Sequence, residues 1–177
     1  METLQIMALT ALIVFIAYIT IAIKQFGIPE SISNTFYLYN EKRNGLGYVF
    51  TLFMWTVGSL MIMPMITLGD GHWWQFVGFL CPTALCFCGA APMFKDTKME
   101  SSVHVIGAVS AAILGLLWCF LAVGYHTILP VLITMVSLVI AMGKLTETLM
   151  SCKTFWLEIA GFGTIGIVLN IAVFTML

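Results

Sequence analysis

Apolar residues run along this chain in long blocks, and polar residues are confined to the gaps between them. A helix that crosses the hydrocarbon core of a bilayer needs about 20 apolar residues. Six blocks meet that length: Leu4–Ile23, Tyr48–Leu68, Trp73–Pro92, Val103–Gly124, Ile128–Thr148 and Phe155–Met176. Within each block the apolar residues are continuous, so the pattern predicts helices and excludes the in–out alternation of a membrane barrel. The gaps are short except for residues 24–47, and short links place consecutive helices side by side and antiparallel. The pattern therefore predicts an all-α fold: one polytopic transmembrane domain over residues 1–177, a bundle of six helices with up-down topology. No internal repeat supports an inverted-repeat transporter.

Composition removes the soluble alternatives. Apolar residues make up 61% of the chain, charged residues 8%, and the mean hydropathy is +1.06. A soluble domain carries about 25% charged residues and cannot hide this much apolar surface. A soluble enzyme, a disordered chain and a nucleic-acid binder are all excluded; seven Lys plus Arg against eight Asp plus Glu leave no basic face for phosphates.

The placement of charge says more than its scarcity. Lys24, Lys42, Arg43, Lys95, Lys98, Lys144 and Lys153 all fall in the first, third and fifth connections or at a helix end beside one. Basic residues accumulate on the cytoplasmic side. Loops 24–47, 93–102 and 149–154 are thus expected to be cytoplasmic, with the N- and C-termini outside, on the non-cytoplasmic side. The pattern fits bacterial and eukaryotic membranes alike, and a bacterial inner membrane is the expected location. The first block lacks a basic leader and a small-residue cleavage site, so it reads as a retained span. Of the five cysteines, four lie within spans and Cys152 is cytoplasmic, which predicts free thiols.

Polar residues near hydrocarbon are the informative ones. His104 opens the fourth span, followed by a Gly107, Ala111, Gly115 series whose small side chains suit close helix packing. Asp96 lies in the preceding loop, and Glu158 about one turn inside the sixth span, where it should point into the bundle or pair with Lys144 or Lys153. A carboxylate close to a histidine can do acid–base work or carry a proton. The plainer reading is that His104 caps a helix and Glu158 snorkels to a lysine, and it outweighs the functional one.

On the outer side, Met61 and Met65 share a helix face, with His72 and His126 in nearby turns. Thioether and imidazole together can hold Cu(I), but twelve methionines scattered along the chain make packing the better explanation. No metal or other cofactor is expected. Asn170, alone in the sixth span, reads as an interhelical hydrogen bond.

The long connection contains GIPESISNTFYLYNEKRNGLG. Ile32, Phe36 and Tyr39 recur at helical spacing, predicting a short interfacial helix with its aromatic side in the headgroups and Ser31 as a cap. A loop this long among short ones tends to carry function, and an interfacial anchor with no ligand explains it equally well. Together Ser31, Ser33, Asp96, His104 and Glu158 are expected at the cytoplasmic mouth of the bundle.

Two segments, PESISNTFYLY and LCFCGAAPMFKDTKMESSVHVIGAVSA, carry a resemblance. The chain resembles the bacterial six-span membrane proteins of unknown function that are grouped with the Frag/DRAM-like proteins. The resemblance implies a six-helix plan and maps a Ser loop onto Ser31 and Ser33, a Phe–Asp segment onto Phe94 and Asp96, and a histidine onto His104. Asn34 and Thr35 stand where relatives often have an acidic residue, and the usual Phe–Pro order is altered at Pro92 and Phe94. The wider group is linked to lipid and trafficking roles and brings no agreed catalytic mechanism. A zinc amidohydrolase of the ceramidase type would want a His-x-x-x-His pair, which the three histidines do not form.

The sequence ranks a non-catalytic interaction or regulatory bundle first, with a lipid-interacting bundle close behind. A small-solute or ion transporter ranks lower, because the middles of spans one, two and four are almost wholly apolar. A membrane-embedded lipid-modifying enzyme is a further alternative, and no catalytic residue is assigned. The expected partners are membrane lipids, and a membrane-protein partner or a second copy of the chain.

Overall fold

The computed structural model describes residues 2–176 and, among them, holds seven helices and no strands. They are α1 (Glu2–Phe26), α2 (Thr35–Lys42), α3 (Tyr48–Leu68), α4 (Gln75–Ala90), α5 (Lys98–Val123), α6 (Tyr125–Leu145) and α7 (Lys153–Met176). Five of them, α1, α3, α5, α6 and α7, are long and apolar enough to cross a membrane. The chain is an integral membrane protein of the helical-bundle class. The remaining apolar helix, α4, is shorter, at 16 residues.

Local chemistry sets the boundaries. Helix α4 stops at Ala90, two residues before Pro92, because a proline disfavours helical backbone in the residue ahead of it. Helix α5 starts at Lys98 because Thr97 is extended and its hydroxyl accepts the Glu100 N–H at 3.2 Å. The α5–α6 reversal takes a single residue, Gly124 at φ 72, a conformation that favours glycine. Pro64, Pro82 and Pro130 sit inside helices that continue past them.

Glycines fix how closely the helices approach. A Cβ on Gly78 would lie 2.7 Å from the Met65 carbonyl oxygen, and one on Gly89 would lie 2.7 Å from the Met54 side chain, so α4 runs antiparallel to α3. A Cβ on Gly107 would meet the Cys88 backbone nitrogen at 2.8 Å and the Ala84 carbonyl oxygen at 2.9 Å, while Trp118 donates to the Met65 carbonyl at 3.1 Å. Helix α5 therefore lies antiparallel to α4, with its small-residue face against it. Asn170 on α7 donates to the Ala8 carbonyl of α1 at 3.1 Å, the interhelical bond anticipated for it.

These contacts put Ala8, Leu68, Gln75, Val123 and Asn170 toward one end of the bundle. Phe26, Tyr48, Ala90, Lys98 and Lys153 lie toward the other, the end that carries the basic residues. Helices α1, α3, α4, α5 and α7 surround a small apolar cavity of about 50 Å³. Helix α6 lies outside this ring against α7 and buries only Ile128, Val139 and Gly143.

Candidate functional site

The connection between α1 and α2 does not stay at the surface. Ile32, Ser33, Asn34 and Thr35 are all buried, Thr35 completely. Buried irregular backbone is tolerated only where protein satisfies its polar groups. Here Ile32 N–H donates to the Glu158 carboxylate at 2.6 Å, and Phe155 N–H donates to the Glu30 carbonyl at 3.0 Å, which ties the loop to the first turns of α7. Successive turns bond Asn34 N to Ser31 O, Thr35 N to Ile32 O and Phe36 N to Ser33 O. The Thr35 hydroxyl donates to the Ile32 carbonyl at 2.6 Å, so its single proton is used and Tyr18 of α1 must donate to it.

His104 closes this loop against α5. Its Nδ1 lies 2.9 Å from the carbonyl oxygen of Ala91, one of the acceptors left free where α4 ends. A carbonyl only accepts, so Nδ1 carries the proton. In the neutral ring Nε2 is then the acceptor, and it receives the Ser33 hydroxyl at 2.8 Å. The imidazole stacks on Phe94, ring centroids 4.5 Å apart, with Phe50 on another side at 6.1 Å. The Cys88 thiol touches both ring nitrogens at 3.6–3.7 Å. Tautomer and ring orientation are thus held by contacts around the ring.

Ser31, Ser33, His104 and Glu158 all line one cleft of about 340 Å³ between α5 and α7. Its remaining wall is largely apolar and includes Val105, Val109 and Leu157, each half-exposed or more on the outside of the bundle. The cleft therefore opens sideways, on the outer face of the bundle. Among the described residues no Lys or Arg lines it, and Glu158 is its one acidic side chain. Ser33 and Glu158 also border the central apolar cavity, so they stand where the two spaces meet.

The fifth residue expected at this mouth is elsewhere. Asp96 points to Tyr37, whose hydroxyl donates to it weakly at 3.5 Å while accepting the Lys95 N–H at 2.7 Å. Partial burial pushes the Tyr37 phenol above its ordinary value, which keeps it a neutral donor. Asp96 is not among the hydrogen-bond partners of His104. Nor does His104 cap its helix, since Thr97 does that about two turns earlier. Glu158 pairs with neither Lys144 nor Lys153; its partner is backbone.

Ser31 does not cap α2, whose N-cap residue is Asn34 with no side-chain cap bond; its hydroxyl accepts the Asn34 N–H at 3.0 Å within the preceding loop turn. The aromatic side of α2 corrects the expectation drawn from its spacing. Phe36 and Tyr39 are buried in the core, Tyr39 edge-on to Phe26 at 4.8 Å, and are not in the headgroups. The long links on either side let α2 fold back against α3, which buries the face that periodicity alone had assigned to the interface.

Residues with no sequence signal of their own complete the site. Lys95 reaches across to donate to Asn34 Oδ1 at 2.7 Å and lies 3.6 Å from the exposed Glu30 carboxylate. Cys88 and Ala91 position His104, and Tyr18 holds Thr35. One signal was available: Thr97-x-x-Glu100 is a capping-box pattern and marks the true start of α5.

The outer-side residues do not converge. Met61 and Met65 are buried in the core, His72 stacks on Trp74 at 5.2 Å, and His126 lies against Tyr125 at 3.8 Å. Among the described residues no three His, Cys, Asp or Glu side chains are grouped to hold a metal ion. Comparison of the chain with protein-family models, with curated proteins and with solved structures finds no match.

Proposed function

We propose that this chain is a lipid-binding membrane bundle whose cleft between α5 and α7 holds the polar part of a membrane lipid. The observation that carries the reading is the cleft itself: about 340 Å³, open sideways, with Ser31, Ser33, His104 and Glu158 on its wall. That volume is in the usual range for small-molecule sites, which run from about 300 to 1,000 Å³. A purely structural polar cluster would be packed shut. The lipid reading therefore stands ahead of a regulatory subunit without a ligand. The transporter reading ranks lower, because the central cavity is only about 50 Å³ and is walled mostly by apolar side chains.

The lining also selects the ligand. With a carboxyl group and no basic side chain, the cleft suits a headgroup that donates hydrogen bonds, an amine or a free hydroxyl, over one presenting only phosphate oxygens. The acyl chains then lie along the apolar outer faces of α5 and α7.

The proposal includes six spans, with α4 as the sixth. Its 16 residues give about 24 Å of helix, and the flanking Trp73 and Trp74 and the Ala91–Met93 segment make up the rest of the crossing. All seven basic residues then face the cytoplasm, the described ends lie outside, and the cleft opens to the cytoplasmic leaflet of a bacterial inner membrane. Membership of the six-span group related to the Frag/DRAM-like proteins belongs to the same proposal and rests on the Ser-loop and Asp–His segments.

The test is native mass spectrometry of the purified chain released from nanodiscs that mix phosphatidylethanolamine, phosphatidylglycerol and diacylglycerol. Retention of one lipid per chain, with ethanolamine or diacylglycerol favoured, is the expected result. Release of the bare protein from every mixture would overturn the reading.

A further inference from the structure

Ser33 and His104 are arranged as a nucleophile and its base. The Ser33 hydroxyl donates to Nε2 at 2.8 Å, and the opposite ring nitrogen is held by the Ala91 carbonyl at 2.9 Å. A hydroxyl is a weak nucleophile until a neighbouring base takes its proton, and the base works best when a third group fixes its tautomer. Here a backbone carbonyl supplies that third group, where hydrolytic triads use a carboxylate. Both side chains line the cleft assigned to lipid, although each is largely buried, Ser33 at 6% and His104 at 4% exposure.

We infer that Ser33 and His104 form a catalytic pair that cleaves the acyl ester of a lipid bound in the cleft. The inference rests on the lipid-binding reading and adds a reaction to it. Ser33 Oγ attacks the ester carbonyl carbon as its proton passes to His104 Nε2. The carbon–oxygen bond to the lipid alcohol breaks, and the same proton moves from Nε2 to the departing oxygen. The acyl group is left on Ser33. Water, reaching the site from the headgroup layer, then attacks that ester with His104 again taking and returning a proton. Fatty acid leaves, and Ser33 regains its hydrogen. One ester and one water give one acid and one alcohol, with no change of oxidation state.

Two features select an ester. A carbonyl orients the imidazole but stabilises its charged form less than a carboxylate would, and so weak a base suits attack on an ester, whose carbonyl is more electrophilic than an amide's. The apolar residues Val105, Val109 and Leu157 extend from the dyad along the lipid-facing side, the direction an acyl chain would take.

The experiment uses the full chain in nanodiscs containing a fluorogenic acyl glycerolipid, with a fluorophosphonate probe in parallel. The expected result is fatty-acid release and probe adduct on Ser33 by peptide mass spectrometry. Ser33→Ala should abolish both, and His104→Gln should slow release by about 100-fold or more. Because either variant can loosen the loop, each is scored only where its melting temperature and lipid retention match the parent. If neither meets that standard, the adduct on the unmodified chain decides. Retained lipid with no adduct at Ser33 and no release would overturn the catalytic inference and leave the binding reading standing. A chain that retains no lipid would overturn both.

Discussion

Ser33 and His104, 71 positions apart in sequence, share a hydrogen bond of 2.8 Å that joins the α1–α2 loop to α5. One prediction comes directly from it. His104→Ala leaves the Ser33 hydroxyl and the Ala91 carbonyl without partners in a buried setting. Each stranded group costs about 1–3 kcal/mol, so the melting temperature in detergent should fall by several degrees. His104→Asn, which keeps one of the two bonds, should fall less. Equal losses for the two variants would mean that the bonds contribute little.

Glu158 is the second anchor of the same loop. Glu158→Gln keeps an oxygen for the Ile32 N–H and removes the acid group from the cleft. It should melt close to the parent yet lose the preference for amine-bearing lipids. Glu158→Ala strands the Ile32 N–H and should cost about 1–3 kcal/mol. Limited proteolysis near Pro29 reads the difference, since the loop tied by that bond should be cut sooner in the alanine variant.

Two glycines on facing helices should respond in opposite ways. Gly107 abuts the backbone of α4, so Gly107→Ile must push α4 and α5 apart and should cost about 1–3 kcal/mol or prevent folding. Gly161 lines the cleft, and a Cβ placed there meets nothing within 4 Å. Gly161→Leu should fill the cleft, keep the melting temperature near that of the parent and expel the lipid. Undiminished lipid retention in a folded Gly161→Leu variant would count against the site.

Orientation gives a separate prediction. A reporter fused after Leu177 should read as non-cytoplasmic, and cysteines introduced singly at Glu41 and Ser151 into a variant without native thiols should react only with reagents that reach the cytoplasm. Labelling of either by an impermeant external reagent would reverse the bundle.

The helices were legible because span length and charge placement are one-dimensional quantities. Tyr48–Leu68 falls at the same bounds in pattern and structure, and the other apolar helices differ by a few residues at their ends. Those differences have local causes: Thr97 starts α5 five residues before the apolar block, and Pro92 ends α4 early. The site was only partly legible. Ser31, Ser33, His104 and Glu158 do share a cleft, which depth along the helices could suggest.

What pattern could not reveal is the descent of a polar loop into the bundle. SISNT reads as surface turn, and only distant partners, Glu158, Tyr18 and His104, make its burial tolerable. Asp96 misled for the converse reason. Closeness to His104 in sequence did not survive the α4–α5 turn, which aims its carboxylate at Tyr37.

The most direct measurement of the central claim is an experimental density map of the chain in a phosphatidylethanolamine nanodisc. It should show an elongated lipid in the cleft between α5 and α7, with its polar end within hydrogen-bond distance of Glu158 and its chains along Val105 and Val109. A cleft closed by side chains, or one holding water with no lipid, would contradict the account.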